Sequence, residues 1–247
     1  MKSKTYNKIL ASVLINGVYA MKNMPIMLIN VALQPLSFII IIALVSHGAL
    51  LGLAIEGAFI ITVVAGGLAL QGDLSHLKND FKVQEIVVSS PTSAAMYLSG
   101  MALSELIYDT PELLILLVLS ALFLHISMVA ALAIVGVVVL MFILASAIGF
   151  VFSTLTSDVM QSWAFGGILA LLFSTLTPVY YPITYIPMPW QYLVYLSPTT
   201  YAAQIAQSIS GFVSISMTNF IIDWIMLIAI TIILLLIAIY KSRWVER

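Results

Sequence analysis

Four carboxylates stand where the surrounding sequence is almost wholly apolar. Glu56 lies inside one apolar run, and Glu105, Asp109 and Glu112 follow in another at i, i+4 and i+7. At about 100° per residue the last three share a helical stripe roughly 60° wide. An ionisable group inside a bilayer is costly, so it faces protein or water rather than lipid. Carboxylates so placed can bind a proton or a cation, or couple two moving elements. A plainer reading stands beside this one. The stripe begins at the interior end of its helix, where headgroup water and Lys or Arg partners reach it, and Glu105 is read as such an interfacial group. For Asp109 and Glu112 both readings stay open. Asp223 falls at the outer end of another run and reads as interfacial. His47, His76 and His125 share no helical face, so no metal site is expected. No serine has a histidine partner that would make a hydrolytic site, so no catalytic residue is assigned. The chain has no cysteine, which excludes disulfides and thiolate metal sites.

The elements that hold these acids are dictated by composition. Of the 247 residues 62% are hydrophobic and 8% charged, against roughly 45–50% and 25% in soluble domains. Helix exteriors of this kind suit a bilayer as solvent. The net charge of −1 suggests no nucleic-acid partner. A cleaved signal peptide is not expected, because Lys2, Lys4 and Lys8 interrupt the start and no compact apolar core follows.

The nine cations then set a topology. They are Lys2, Lys4, Lys8, Lys22, Lys78, Lys82, Lys241, Arg243 and Arg247. Short cytoplasmic loops collect Lys and Arg. Two apolar stretches separate Lys22 from Lys78 and four separate Lys82 from Lys241, so even numbers of crossings return every cation to one face. The predicted fold is an all-α membrane protein forming a single domain over 1–247, with six spans and both termini cytoplasmic. The spans fall at about 25–46, 49–70, 95–124, 128–152, 159–177 and 219–240, each near the ~20 residues that a ~30 Å core requires. The third reaches membrane depth near Glu105, and its earlier residues extend it towards the cytoplasm. Residues 4–22 form an amphipathic interfacial helix with a basic face. Pro35 should kink the first span, and Gly66 and Gly67 should let the second pack closely on a neighbour. Residues 72–92 form the longest interior loop.

The segment 178–218 differs. It holds five of the nine prolines together with Tyr180, Tyr181, Tyr185, Trp190, Tyr192, Tyr195 and Tyr201, and no Asp, Glu, Lys or Arg. Proline removes backbone donors, so an uncharged, aromatic, helix-broken stretch reads as a re-entrant or interfacial excursion on the outer side. Its aromatic residues suit an interfacial belt or a gate at the outer mouth.

This order of elements resembles the membrane subunits of type-2 ATP-binding-cassette (ABC) exporters, including the daunorubicin-resistance-like permeases. The run from Glu85 through Pro91 to Ser93 is similar to the family's stretch of glutamate, small apolar residues and proline, and Tyr97, Gly100 and Leu103 follow as its next helix does. The segment Ser197-Pro198-Thr199-Thr200-Tyr201 resembles its Asn-Pro-Leu-Thr-Tyr run, and Tyr181-Pro182 and Ile186-Pro187 its proline-rich outer hairpin. Two positions depart from the pattern. Asn79 to Val83 replace an Arg-Glu-x-Gly-Thr run, and Gln207 stands where the family often carries arginine.

The resemblance implies a permease subunit that works beside a second permease copy or paralogue and two copies of an ATP-binding subunit, in the cytoplasmic membrane of a prokaryote. It implies export of an amphiphile (a drug, lipid or lipid-linked glycan) by alternating access. The chain has no G-x-x-x-x-G-K-[ST] run, so ATP and magnesium are expected on the partner and no cofactor on this chain. The loop 72–92 is then the element that couples to the ATPase, through Asp80, Lys82, Glu85 and Pro91. Lys78 and Lys82 could instead bind lipid phosphates. An ordinary solvated loop is the alternative for this stretch. Tyr181, Pro182, Pro187, Pro198 and Tyr201 would form the outer hairpin and gate, and Glu56, Glu105, Asp109 and Glu112 the intramembrane polar set. A different class remains in view: an ion-coupled secondary transporter or channel in which the span-three carboxylates carry the ion and no ATPase is needed.

Overall fold

The computed structural model describes residues 2–23, 25–80, 93–124 and 126–241. Lys82, Glu85, Pro91 and His125 therefore lie outside the described residues, as do Arg243 and Arg247. The described residues are mostly helical, with no strand among them.

The chain enters through α1 (Lys2–Val13), widens into one π-helical turn at Leu14–Tyr19 and continues as α2 (Ala20–Asn23). The π turn brings Gly17 against Ser104. The Asn16 side chain donates to the Ser12 carbonyl at 3.1 Å within this stretch. A longer helix, α3 (Pro25–Val45), follows with Pro35 inside it. The turn to α4 is as short as expected, with His47 and Gly48 both at positive φ.

Helix α4 (Leu51–Asn79) is the hub. It runs through residues 72–79, which the sequence reading placed in the interior loop. The reason is local: Leu74 and Leu77 continue the apolar period, and Leu70 and Leu74 join Tyr97 and Met101 in a small buried cluster. Ala54, Ile55, Ala58 and Val63 on the same helix are fully buried. At Gly67 the helix meets α7 (Met128–Leu155) so closely that a Cβ on Gly149 would lie 2.5 Å from the Gly67 carbonyl oxygen. Small residues at such a crossing let the backbones touch, which drives helix association where lipid removes the hydrophobic incentive.

Residues 94–123 do not form one helix. They divide into α5 (Ala94–Tyr108) and α6 (Thr110–Phe123), bent by 51° at Asp109. Pro111 supplies the cause. It lacks a donor, its ring opposes a helical residue before it, and its fixed φ suits the first turn of a new helix. Asp158 opens α8 (Val159–Thr175) by accepting from the Gln161 backbone N–H at 2.7 Å. Beyond it lie a 3₁₀ turn (Ile183–Tyr185), the single turn α9 (Gln191–Val194), α10 (Pro198–Ile209) and α11 (Met217–Lys241).

Among the described residues α4, α7 and α11 are long and apolar enough to cross a membrane, and the bent α5–α6 pair makes a fourth if it counts as one span. Pro35–Val45 and α8 are shorter apolar helices. Helix α4 packs on α3, α5, α6, α7, α8 and α10, whereas α1 lies against α5. The carboxylates of α5 and α6 thus face one central rod.

Candidate functional site: a buried acidic ladder and a proline-rich hairpin

The three carboxylates of the predicted stripe all turn towards α4, and all three are buried. Glu105 faces the half-buried Asp73 of α4. Asp109, at the break between α5 and α6, fills the notch left by Gly66, where a Cβ would fall 2.0 Å from its Oδ2. Glu112, in the first turn of α6, contacts the Thr62 hydroxyl. The rungs therefore pair 73 with 105, 66 with 109 and 62 with 112. Thr62 Oγ1 also lies 2.8 Å from the Ala58 carbonyl. Among the described residues, Asp73 is the charged side chain that faces Glu105.

Glu56 stands apart, on another face of α4. It is 2% exposed, and neither carboxylate oxygen has a hydrogen-bond partner. The polar side chain facing it is Ser210, at the end of α10. Asp223 of α11, read as interfacial, is 3% exposed.

The proline-rich segment is built on α10, a helix buried along nearly its whole length. Pro198 starts it. The Gln207 side-chain amide donates to the carbonyls of Pro178 at 3.0 Å, Tyr181 at 3.4 Å and Val179 at 3.5 Å. The Tyr201 hydroxyl donates to the Tyr195 carbonyl at 2.8 Å, and the Gln191 amide to the Ile186 carbonyl at 2.7 Å. Prolines that cannot donate still accept: Pro182 and Pro187 receive the N–H groups of Tyr185 and Trp190, both at 3.0 Å. Tyr180 is buried and stacks on Phe38 of α3 with ring centroids 5.7 Å apart. Burial and the nearby Glu112 charge push its phenol above the ordinary range, so it stays neutral. Burial also raises the Tyr181 phenol. The five residues predicted for this hairpin divide by depth: Pro198 and Tyr201 are buried, Tyr181 and Pro182 half-buried, and Pro187 exposed with Tyr185, Trp190 and Tyr192.

At the C-terminal end of α4, Asp80 is exposed and its carboxylate sits 2.5 Å from the His76 ring. Lys78 is exposed beside it. Two contacts that the sequence reading missed fasten this end of α4 to α8. Gln71 donates to the Ser162 carbonyl, and Ser162 shares a hydrogen bond with Thr156. The Asn79 amide reaches the Ser157 carbonyl at 3.5 Å. The available signal was a polar side chain on an otherwise apolar helix, since such groups seek partners inside a bilayer. Among the described residues no cluster of His, Asp or Glu could hold a metal.

A family model described as ABC-2 type transporter matches residues 9–210, more than half of the chain. No curated protein matches it.

Proposed function

The chain belongs to the ABC-2 type transporter family, and on that premise we propose that it is the permease of an exporter for amphiphilic substrates, with a daunorubicin-resistance-like architecture. Membership makes it a multi-pass membrane subunit of an ABC transporter that partners an ATP-binding subunit. The rest is the finer reading. Two permeases, identical or paralogous, and two ATP-binding subunits carrying ATP and magnesium form the complete machine, in the cytoplasmic membrane of a prokaryote. Six spans are supplied by α3, α4, α5–α6, α7, α8 and α11, since 21 and 17 residues bring α3 and α8 within the range of about 17–25 that crosses a bilayer. The one-sided cations support cytoplasmic termini, and the proline-rich segment with α10 is read as re-entering from outside.

The observation that carries the mechanism is the reach of α4. One unbroken helix joins the interior segment that includes Asp80, and after it Lys82, Glu85 and Pro91, to the core beneath the outer hairpin. A push on its interior end moves α8 through Gln71 and α5–α6 through the acidic ladder. Binding energy at the ATPase would in this way tilt the spans and alternate the exposure of a path between two permeases. The substrate class, a drug, lipid or lipid-linked glycan, follows the apolar character of the spans.

The test is co-purification and reconstitution. Tagged chain isolated from its native membrane should bring an ATP-binding subunit with it, and vesicles holding both should expel an amphiphilic dye on addition of magnesium and ATP. Ion flux from the chain alone, with no ATPase bound, would instead establish the ion-coupled reading that the carboxylates of α5 and α6 support.

A further inference from the structure

We propose that the proline-rich hairpin is one clamped piece, plugged onto α4 by the rings of Tyr180 and Phe212, and that the face between Tyr180 and Phe38 of α3 is the seam along which the protein opens. This rests on the reading of the chain as a transport permease, and it says where in the chain the path parts. Gln207 is the clamp. Its amide donates to the carbonyls of Pro178, Val179 and Tyr181. Its own carbonyl accepts from the Phe212 N–H at 2.9 Å and the Val213 N–H at 3.2 Å. One residue thus holds both ends of the segment, and each end sends a ring onto a glycine of α4. Tyr180 sits on Gly57, where a Cβ would lie 2.7 Å from its ring and 2.5 Å from the Val179 carbonyl oxygen. Phe212 sits on Gly52, where a Cβ would collide with the tip of its ring.

The Tyr180 ring also meets α3. It stacks on Phe38 with centroids 5.7 Å apart and planes 7° from parallel. Phe38 stands about two helical turns before the short turn that joins α3 to α4, and Gly57 about two turns after it. Tyr180 is therefore wedged between the two legs of one helical pair. The chemistry of its contacts decides which side gives. Drawing the hairpin off α10 would strand the carbonyls of the buried residues Pro178 and Val179, and a buried acceptor without a donor is costly. The ring stack contains no hydrogen bond, and parting it only separates two apolar faces. Ile40, Ile41 and Leu44 of α3 are exposed, so α3 has room to swing on the turn at His47 and Gly48. The slot that such a swing opens has an aromatic wall on each side, suited to the flat apolar part of an amphiphile.

The chain has no cysteine, so introduced pairs report alone. The test bridges two double variants with a short, reducible bis-methanethiosulfonate, in vesicles holding the chain with its co-purified ATP-binding subunit. Phe38→Cys/Tyr180→Cys spans the seam, and Gly52→Cys/Phe212→Cys lies within the clamped piece. The seam pair should bridge readily without nucleotide and several-fold less with magnesium and ATP, whereas the second pair should bridge equally in both. Bridging the seam should abolish dye efflux, and reduction should restore it. A seam yield that nucleotide leaves unchanged would overturn the proposal, as would a fall in both pairs together or undiminished efflux with the seam bridged. Bridging needs no transport, so a seam that opens on nucleotide in a complex that moves no dye would support the seam and refute the amphiphile reading alone. If the seam pair does not fold, Phe38→Cys by itself serves: its alkylation by N-ethylmaleimide should quicken with magnesium and ATP, and an unchanged rate would mean that the seam stays shut.

Discussion

The side-chain amide of Gln207 lies 3.0 Å from the carbonyl oxygen of Pro178, with the carbonyls of Tyr181 and Val179 also within reach. One neutral donor thus gathers the start of the outer hairpin onto α10. The related permeases that this chain resembles often place arginine here, and the amide makes the anchoring contact without burying a charge. Gln207→Leu keeps the volume and removes the donor. It should destabilise the purified chain by about 1–3 kcal/mol, the range for buried acceptors left without a partner. Thermal unfolding in detergent measures this, and an unchanged midpoint would show that the hairpin is held elsewhere.

Gly66 and Asp109 should behave as one unit. A Cβ at position 66 would fall 2.0 Å from Asp109 Oδ2, so Gly66→Ala must displace the carboxylate or part α4 from the bend. Overpacking of this kind costs about 1–3 kcal/mol. In the double variant Gly66→Ala/Asp109→Ala the obstructing group is gone, and its loss of stability should be smaller than the sum of the two single losses. Strict additivity in the unfolding free energies would deny the contact.

Gln71 links α4 to the Ser162 carbonyl of α8. If that link carries motion, Gln71→Leu should lower ATP-driven dye efflux while leaving the amount of bound ATP-binding subunit unchanged. Loss of both together would mean that Gln71 only supports assembly.

The interior segment beyond Asn79 should behave differently from Gln71. Glu85→Lys is expected to weaken association with the ATP-binding subunit on the order of tenfold, equivalent to about 1.4 kcal/mol, with helical content unaltered. Quantitative pull-down and circular dichroism measure the two terms. Undiminished association would remove Glu85 from the docking surface.

Much of this arrangement is legible in the residues themselves, and the failures have identifiable causes. The acidic stripe turns inward as its spacing predicts, because lipid offers a carboxylate nothing. Its partner Asp73 escaped notice because Gly72 was read as the start of a loop, which put Asp73 in water. In the structure the apolar period of Leu74 and Leu77 outweighs that single glycine. The bend at Asp109 is written plainly as Asp109-Thr110-Pro111, but a long apolar run invites one continuous helix and conceals it. Contacts such as Gln71 with Ser162, or Gln207 with Pro178, join residues far apart in the chain. No local period announces them.

Helix α10 is enclosed by α4, α7 and α11, and α11 is synthesised after it. Its uncharged surface can therefore wait in the translocation machinery or against lipid, but it cannot be seated until the following helix arrives. Biogenesis of this subunit thus ends on α11, whose arrival completes the wall around α10.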